Sequence, residues 1–229
     1  MSVVPDMAVM GGVSFIVGAL AFTGVFSWLA ARFDYPRILD GDAATVLPRL
    51  RAGGAPMRAV WAIYSLLPLL LVPGAVGALA ALGGTPLMTL ALVLNAVGAL
   101  AMCLGLMRWP SIHWVLAESW ESAGTDARHS IAATFRGLNL YLGNYIGEFL
   151  GEICLAKFFA LCGVAMLADA RFPAWLGIAG LAFGIAFAIG AFRNVTTRVQ
   201  WLADINNWLL PLWMILLGGA LIRSGVPHP

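Results

Sequence analysis

Two glutamates, Glu148 and Glu152, stand four residues apart in the run GNYIGEFLGEICLAK (143–157), which has apolar sequence on both sides and contains the chain's only lysine, Lys157. Residues four apart on a helix lie nearly above one another. Both carboxylates therefore fall on one face with Tyr141 and Asn144. Carboxylates in apolar surroundings can bind a cation, pass a proton, or do general acid–base work. Two on one face also repel, and the spacing predicts that the pair holds one proton between them. A charged side chain at the bilayer centre costs about 2.5–3.5 kcal/mol on insertion scales, so such residues are functional by default. Tyr141, Asn144, Glu148 and Glu152, with Asn95 in the middle of another apolar run, are the expected ligand-binding set.

Lys157 lies about 140° around the helix from Glu152, so a salt bridge between them has poor geometry. Snorkelling toward the interface accounts for the lysine. That geometry, with six spans rather than seven, argues against a retinal Schiff base. Thr23, Ser27, Tyr64, Ser65, Asp204, Asn206 and Asn207 are read as hydrogen bonds between helices. A second stripe on the same helix, Gly143, Gly147 and Gly151, lets a neighbour approach closely. A homo-oligomer joined through that glycine face is the expected assembly.

The elements that must hold these residues are set by composition. The 229 residues are 61% hydrophobic and 10% charged, whereas soluble domains carry about 25% charged residues. The chain therefore lacks the polar surface to stay in water. Six apolar runs, roughly 8–31, 57–82, 86–107, 137–167, 174–192 and 201–223, are each long enough to cross a bilayer. A span must satisfy its own backbone, so all six are helices. The fold expected is an all-α integral membrane protein, one six-helix domain over 1–229. The first run has no Lys or Arg before it and exceeds a signal-peptide core, so it reads as a retained span.

Pro68 and Pro73 should kink the second span. GGTP (83–86) is a tight turn that makes spans two and three neighbours. A short helix over 43–51, capped by Asp40 or Asp42 and stopped at Gly53-Gly54, is expected in the first loop. Residues 111–123 read as an interfacial helix with Trp114 and Trp120 at headgroup level. Running from about 137 to 167, the fourth span places Glu152 near the bilayer centre.

Arginine counts orient the bundle. Arg32, Arg37, Arg49, Arg51, Arg58, Arg108, Arg128, Arg136, Arg193 and Arg198 fall on one side, and only Arg171 and Arg223 on the other. Positive charge stays cytoplasmic, so both termini are expected outside. Net charge is only +2, which gives no argument for nucleic acid. Cys103, Cys154 and Cys162 lie in apolar runs without CxxC spacing, so neither disulfides nor zinc are expected. His113, His129 and His228 lie outside or at the edges of the spans, which argues against a bundle haem. No metal and no cofactor is expected.

FDYPRIL (33–39), VLPRLRAGG (46–54), LNLYLGNYIGEFLGE (138–152) and RFPAWLGIAG (171–180) occur in this order. This pattern resembles the six-span bacterial membrane proteins grouped as the domain of unknown function 4386 family, from about residue 8 to 222. The family pattern reads YPDIL and GEHLG; here Arg37 replaces the aspartate and Phe149 the histidine. The motif's glutamate carries over to Glu148. A Glu–His metal or proton-relay pair lacks its second member here. The resemblance implies a multi-pass protein of the cytoplasmic membrane of a bacterium and supplies no mechanism.

The function expected is binding or carrying a small molecule, lipid or proton at a mid-membrane carboxylate pocket on the fourth span. A lipid-modifying enzyme, with the carboxylates as acid and base and Arg108 and Arg136 on a phosphate, is the alternative, as is a structural subunit of a membrane complex. No nucleophile motif or metal cluster supports the enzyme, and no inverted repeat supports an alternating-access carrier.

Overall fold

The computed structural model describes residues 3–226, which are helical with short connections and no strand. His228 and Pro229 lie outside the described residues. Six helices are long and apolar enough to cross a membrane. The first is α1 (Val3–Phe33). The second is α3 (Gly54–Leu66) continued through a 3-10 turn (Leu67–Leu70) into α4 (Leu71–Ala81). The third is α5 (Pro86–Met107), started by the Thr85 hydroxyl, which accepts from the Met88 N–H.

The fourth is the longest, with no break from Thr125 to Leu167. It comprises α7 (Thr125–Leu138), a π-helical stretch (Asn139–Leu150) and α8 (Gly151–Leu167). The fifth is α9 (Ala174–Ala191) and the sixth α10 (Gln200–Gly225). These spans close into a ring in which α1 packs on α4 and α10, α5 on α4 and α8, and α9 on α8 and α10.

Small residues set the helix spacing. A methyl group added to Gly147 would lie 2.9 Å from the Gly105 Cα, and one added to Gly11 would lie 2.5 Å from the Gly77 Cα. At such separations the backbones themselves are in contact, as small-residue stripes allow. Gly143 and Gly151 face the same neighbour, against Arg108 and Met102. The stripe is thus packed against α5 of the same chain and its Arg108 end.

Proline at 68 cannot donate to the preceding turn, and the helix tightens there into the 3-10 segment. Two carbonyls just beyond are taken by side chains from other spans. Ser14 Oγ donates to Leu70 O at 2.8 Å, and Asn95 Nδ2 donates to Leu71 O at 2.9 Å.

The first loop folds back as α2 (Ala43–Ala52), with Asp42 as cap accepting from the Thr45 N–H at 2.9 Å. The helix stops at Gly53, and Gly54 takes a left-handed φ of 61° that favours glycine. Helix α2 packs on α6 (Ile112–Ser122). Trp114 of α6 is buried, with the guanidinium carbons of Arg51 and Arg58 5.4 and 5.2 Å from its ring centre. Trp114 therefore stands between α6 and the covering helix α2. His113 is buried too, edge-on to Trp109.

Two apolar cores result. One joins the spans through Phe15, Phe158, Phe159 and Trp213. The other joins the loops at the arginine-rich end through Phe33, Leu47, Trp61 and Trp109. At the opposite end, Arg171 clamps the loop after α8 to the end of α4, donating to Ala81 O at 2.7 Å and to Asp169 at 2.6 Å.

Candidate functional site

A cavity of about 730 Å³ opens where the two cores meet. Its wall draws on the loop after α1 (Tyr35, Pro36, Arg37, Leu39), the end of α5, the π-helical stretch, the end of α9 and the start of α10. Glu148, Glu152 and Asn144 all line it.

Neither carboxylate stands alone. Arg193, in the turn that ends α9, donates from Nη1 to Glu152 Oε2 at 2.6 Å and from Nη2 to Glu152 Oε1 at 2.7 Å. Its Nη2 also lies 3.0 Å from Glu148 Oε2. Asn194 Nδ2 donates to that same Glu148 oxygen at 3.3 Å. The two-pronged contact with Glu152 is the fork geometry that makes arginine–carboxylate pairs strong and directional. Side-chain exposures of 17% for Arg193, 14% for Glu152 and 27% for Glu148 rank Glu148 as the member most open to the cavity. A guanidinium between the glutamates supplies the counter-charge that the sequence reading lacked, so the repulsion behind the expected shared proton loses its premise.

A second arginine backs the first. Arg108 is 4% exposed and lies against Gly143, where an added methyl group would come 2.5 Å from Nη2. Only glycine leaves that room. Arg108 Nε donates to Asn139 Oδ1 at 3.1 Å, Nη1 donates to Gly105 O, and the guanidinium sits 5.2 Å from the Trp109 ring centre. Asn139 in turn donates to Leu39 O at 3.2 Å, tying the first loop to the fourth span. Beside them burial pushes the Tyr35 phenol up to about 12. It therefore stays a neutral donor in the cavity wall.

Two expected site residues fall elsewhere. Tyr141 is 62% exposed and does not line the cavity. The reason is the π-helix, whose i→i+5 bonds put more residues in each turn than an α-helix has. Seven residues, the separation of Tyr141 from Glu148, are close to two α-turns but well short of two π-turns, so the tyrosine swings off the face. Asn144, four residues from Glu148, stays on it. Asn95 is buried and spends its amide on Leu71 O in the kinked second span. Lys157 is exposed on the outside of the bundle.

Glu152 stands about 22 Å along α8 from Leu167, at 1.5 Å per residue, and it meets Arg193 at the arginine-bearing end of the fifth span. Arg193 was legible only as a charge at a span edge, and Arg108 only as a phosphate contact in the enzyme alternative. The signal that could have found them is the GAFRN run (190–194), which puts an arginine within one turn of an apolar helix end.

Six apolar helices in a ring around a charged, partly enclosed cavity define a multi-pass helical membrane protein. The chain belongs to the family described as a domain of unknown function (DUF4386), which it matches over residues 10–225. Comparison with curated proteins and with solved structures gave no match.

Proposed function

We propose that this protein binds a small polar or amphiphilic molecule in the cavity bounded by Glu148, Arg193 and Glu152, as a binding or carrier protein without catalysis of its own. The observation that carries the reading is the join between about 730 Å³ of space and a partly buried three-residue ion cluster. Pockets that take small molecules are typically a few hundred Å³, mostly apolar, with a few polar groups fixed in place. The π-helical stretch beneath it supports the same reading, because such segments are rare and concentrate at functional sites. The arginine asymmetry supports an orientation with the mouth of the cavity on the cytoplasmic side and both termini outside, and the reading puts the protein in the cytoplasmic membrane of a bacterium.

The test is mass spectrometry of small molecules and lipids copurifying with the protein and with Asn144→Trp, which fills the cavity from its wall. A species held by the wild type near one per chain and lost from a folded Asn144→Trp variant is the expected result. The same profile from both proteins overturns the reading.

A further inference from the structure

Resting on the pocket reading above, we infer that the ligand carries an oxyanion, a carboxylate or phosphate, which binds the open edge of the Arg108 guanidinium. The number of charges does not choose the ligand, because three carboxylates (Glu148, Glu152, Asp204) and three arginines (Arg37, Arg108, Arg193) line the cavity. Their pairing does. Arg193 answers Glu152 and Glu148 at 2.6 and 3.0 Å. Arg37 and Asp204 are both exposed, where water and salt screen them. Arg108 is buried and forms no salt bridge among the described residues. Buried charges are as a rule paired, and an anion entering through the cavity supplies the missing partner.

The second ground is how the guanidinium is held. Nε donates to Asn139 Oδ1 at 3.1 Å and Nη1 to Gly105 O. Both acceptors are neutral, so they fix the plane of the fork and leave its charge unanswered. Nη2 donates to no group among the described residues. It lies over Gly143, another residue of the cavity wall, and is not among the buried nitrogens that lack a partner, so its N–H groups open on the cavity. A guanidinium edge of this kind matches the oxygens of a carboxylate or phosphate. Arg136, the other arginine that the sequence put on a phosphate, is exposed and does not line the cavity.

The neighbouring wall adds a neutral donor. The ring centre of Trp109 is 5.2 Å from the Arg108 guanidinium carbon, and its buried indole N–H has no acceptor. An indole nitrogen only donates, so an oxygen-rich group is what this wall lacks. Asn206 Oδ1, from α10, is also without a partner; being uncharged, it suits a hydroxyl of the ligand and selects neither charge. Phe22, Leu39, Met102 and Leu210 supply apolar lining for the rest of the molecule.

Four aromatic probes separate the charge classes: phenylacetate, phenyl phosphate, 2-phenylethanol and 2-phenylethylammonium, titrated calorimetrically into the full-length protein in uncharged detergent at pH 7. At least one of the two acids should bind at least about tenfold tighter than the alcohol, and the ammonium no tighter than the alcohol. Dihexanoyl phosphatidate distinguishes the sources: tighter binding than phenyl phosphate assigns the site to a lipid headgroup, weaker binding to a soluble acid. Arg108→Gln should weaken the preferred acid by at least about tenfold and leave the alcohol unchanged, with Arg108→Lys between Arg108→Gln and the wild type. Thermal melting shows which variants are folded. Glu148→Gln, which keeps the wall's shape and removes a negative charge, gives a second sign test and should tighten the acid by about threefold. Binding of the alcohol as tight as that of both acids, a preference for the ammonium, no binding of either acid, undiminished acid binding by a folded Arg108→Gln, or weaker acid binding by Glu148→Gln overturns the oxyanion assignment. The copurification comparison with Asn144→Trp decides the pocket itself separately.

Discussion

Arg193 holds Glu152 through two parallel hydrogen bonds of 2.6 and 2.7 Å, from the end of the fifth span to the fourth. The contact joins residues 41 apart in sequence and closes the cavity floor. Arginine suits this role because its planar fork matches a carboxylate, is always charged, and is weakly hydrated. A lysine would offer only a point charge.

Arg193→Ala should therefore strand two partly buried carboxylates. Removing one member of a buried pair costs about 3–5 kcal/mol, and access to cavity water puts this case nearer 2–3 kcal/mol. Arg193→Lys should recover less than half of that loss. The double variant Arg193→Met/Glu152→Leu should be more stable than Arg193→Ala alone, since no charge at position 152 is left unpaired. Melting of the detergent-purified proteins decides the order. A wild-type melting point for Arg193→Ala would mean the ion cluster does not hold the helices together.

Backbone contact between Gly147 and Gly105 makes a sharper steric prediction. Gly147→Leu has no room on that side and should part α5 from the fourth span, opening the cavity wall above Arg108. Ile146→Leu, a nearly volume-conserving change one residue away, should cost less than about 1.5 kcal/mol. The yields of monodisperse protein should differ severalfold; equal yields would show that this face looks into lipid.

The spans were legible because apolar runs of this length admit no other structure, and the α2 cap and its glycine stop were legible from Asp42 and Gly53-Gly54. Glu148, Glu152 and Asn144 were found by α-helical spacing, which the π-helix happens to preserve over four residues. The same spacing failed for Tyr141, seven residues away. The apolar run from 137 is continued backward as helix to Thr125, and the polar α7 has no apolar signal to reveal that continuity. Arg193 was hidden because its partners lie in another span, a relation that no local pattern carries.

Acid should loosen α2 before the bundle. Hydrogen bonds from Thr45 hold the Asp42 carboxyl below the usual carboxylate range. A group with a depressed folded value contributes stability above its unfolded value, about 3.9, and loses it as pH falls through the folded one. Hydrogen exchange of the Thr45 and Val46 amides should therefore quicken relative to the α5 amides as pH drops below about 4. Asp42→Ala should show the faster exchange already at neutral pH and no further change with acid. Unchanged protection in that variant would remove Asp42 as the cap.

Orientation governs from which side any ligand arrives. Every cavity-lining arginine lies at the end of the bundle that also carries Arg49, Arg51, Arg58, Arg128 and Arg136, while Arg171 sits at the other end beside Ala81. Lysine and arginine near span ends are retained on the cytoplasmic side during insertion. With an even number of spans, the orientation expected from this has both termini outside and the cavity mouth inside. A reporter active only outside the cytoplasm, fused after Pro229, should be active, and one fused within the 193–198 turn should be silent. Cysteines placed singly at Arg37 and at Ser224 give the same answer by labelling with a membrane-impermeant maleimide on intact cells: Ser224→Cys should react and Arg37→Cys should react only after lysis. The reverse pattern would invert the bundle and make the cavity open to the outside, so any ligand would have to be supplied from there.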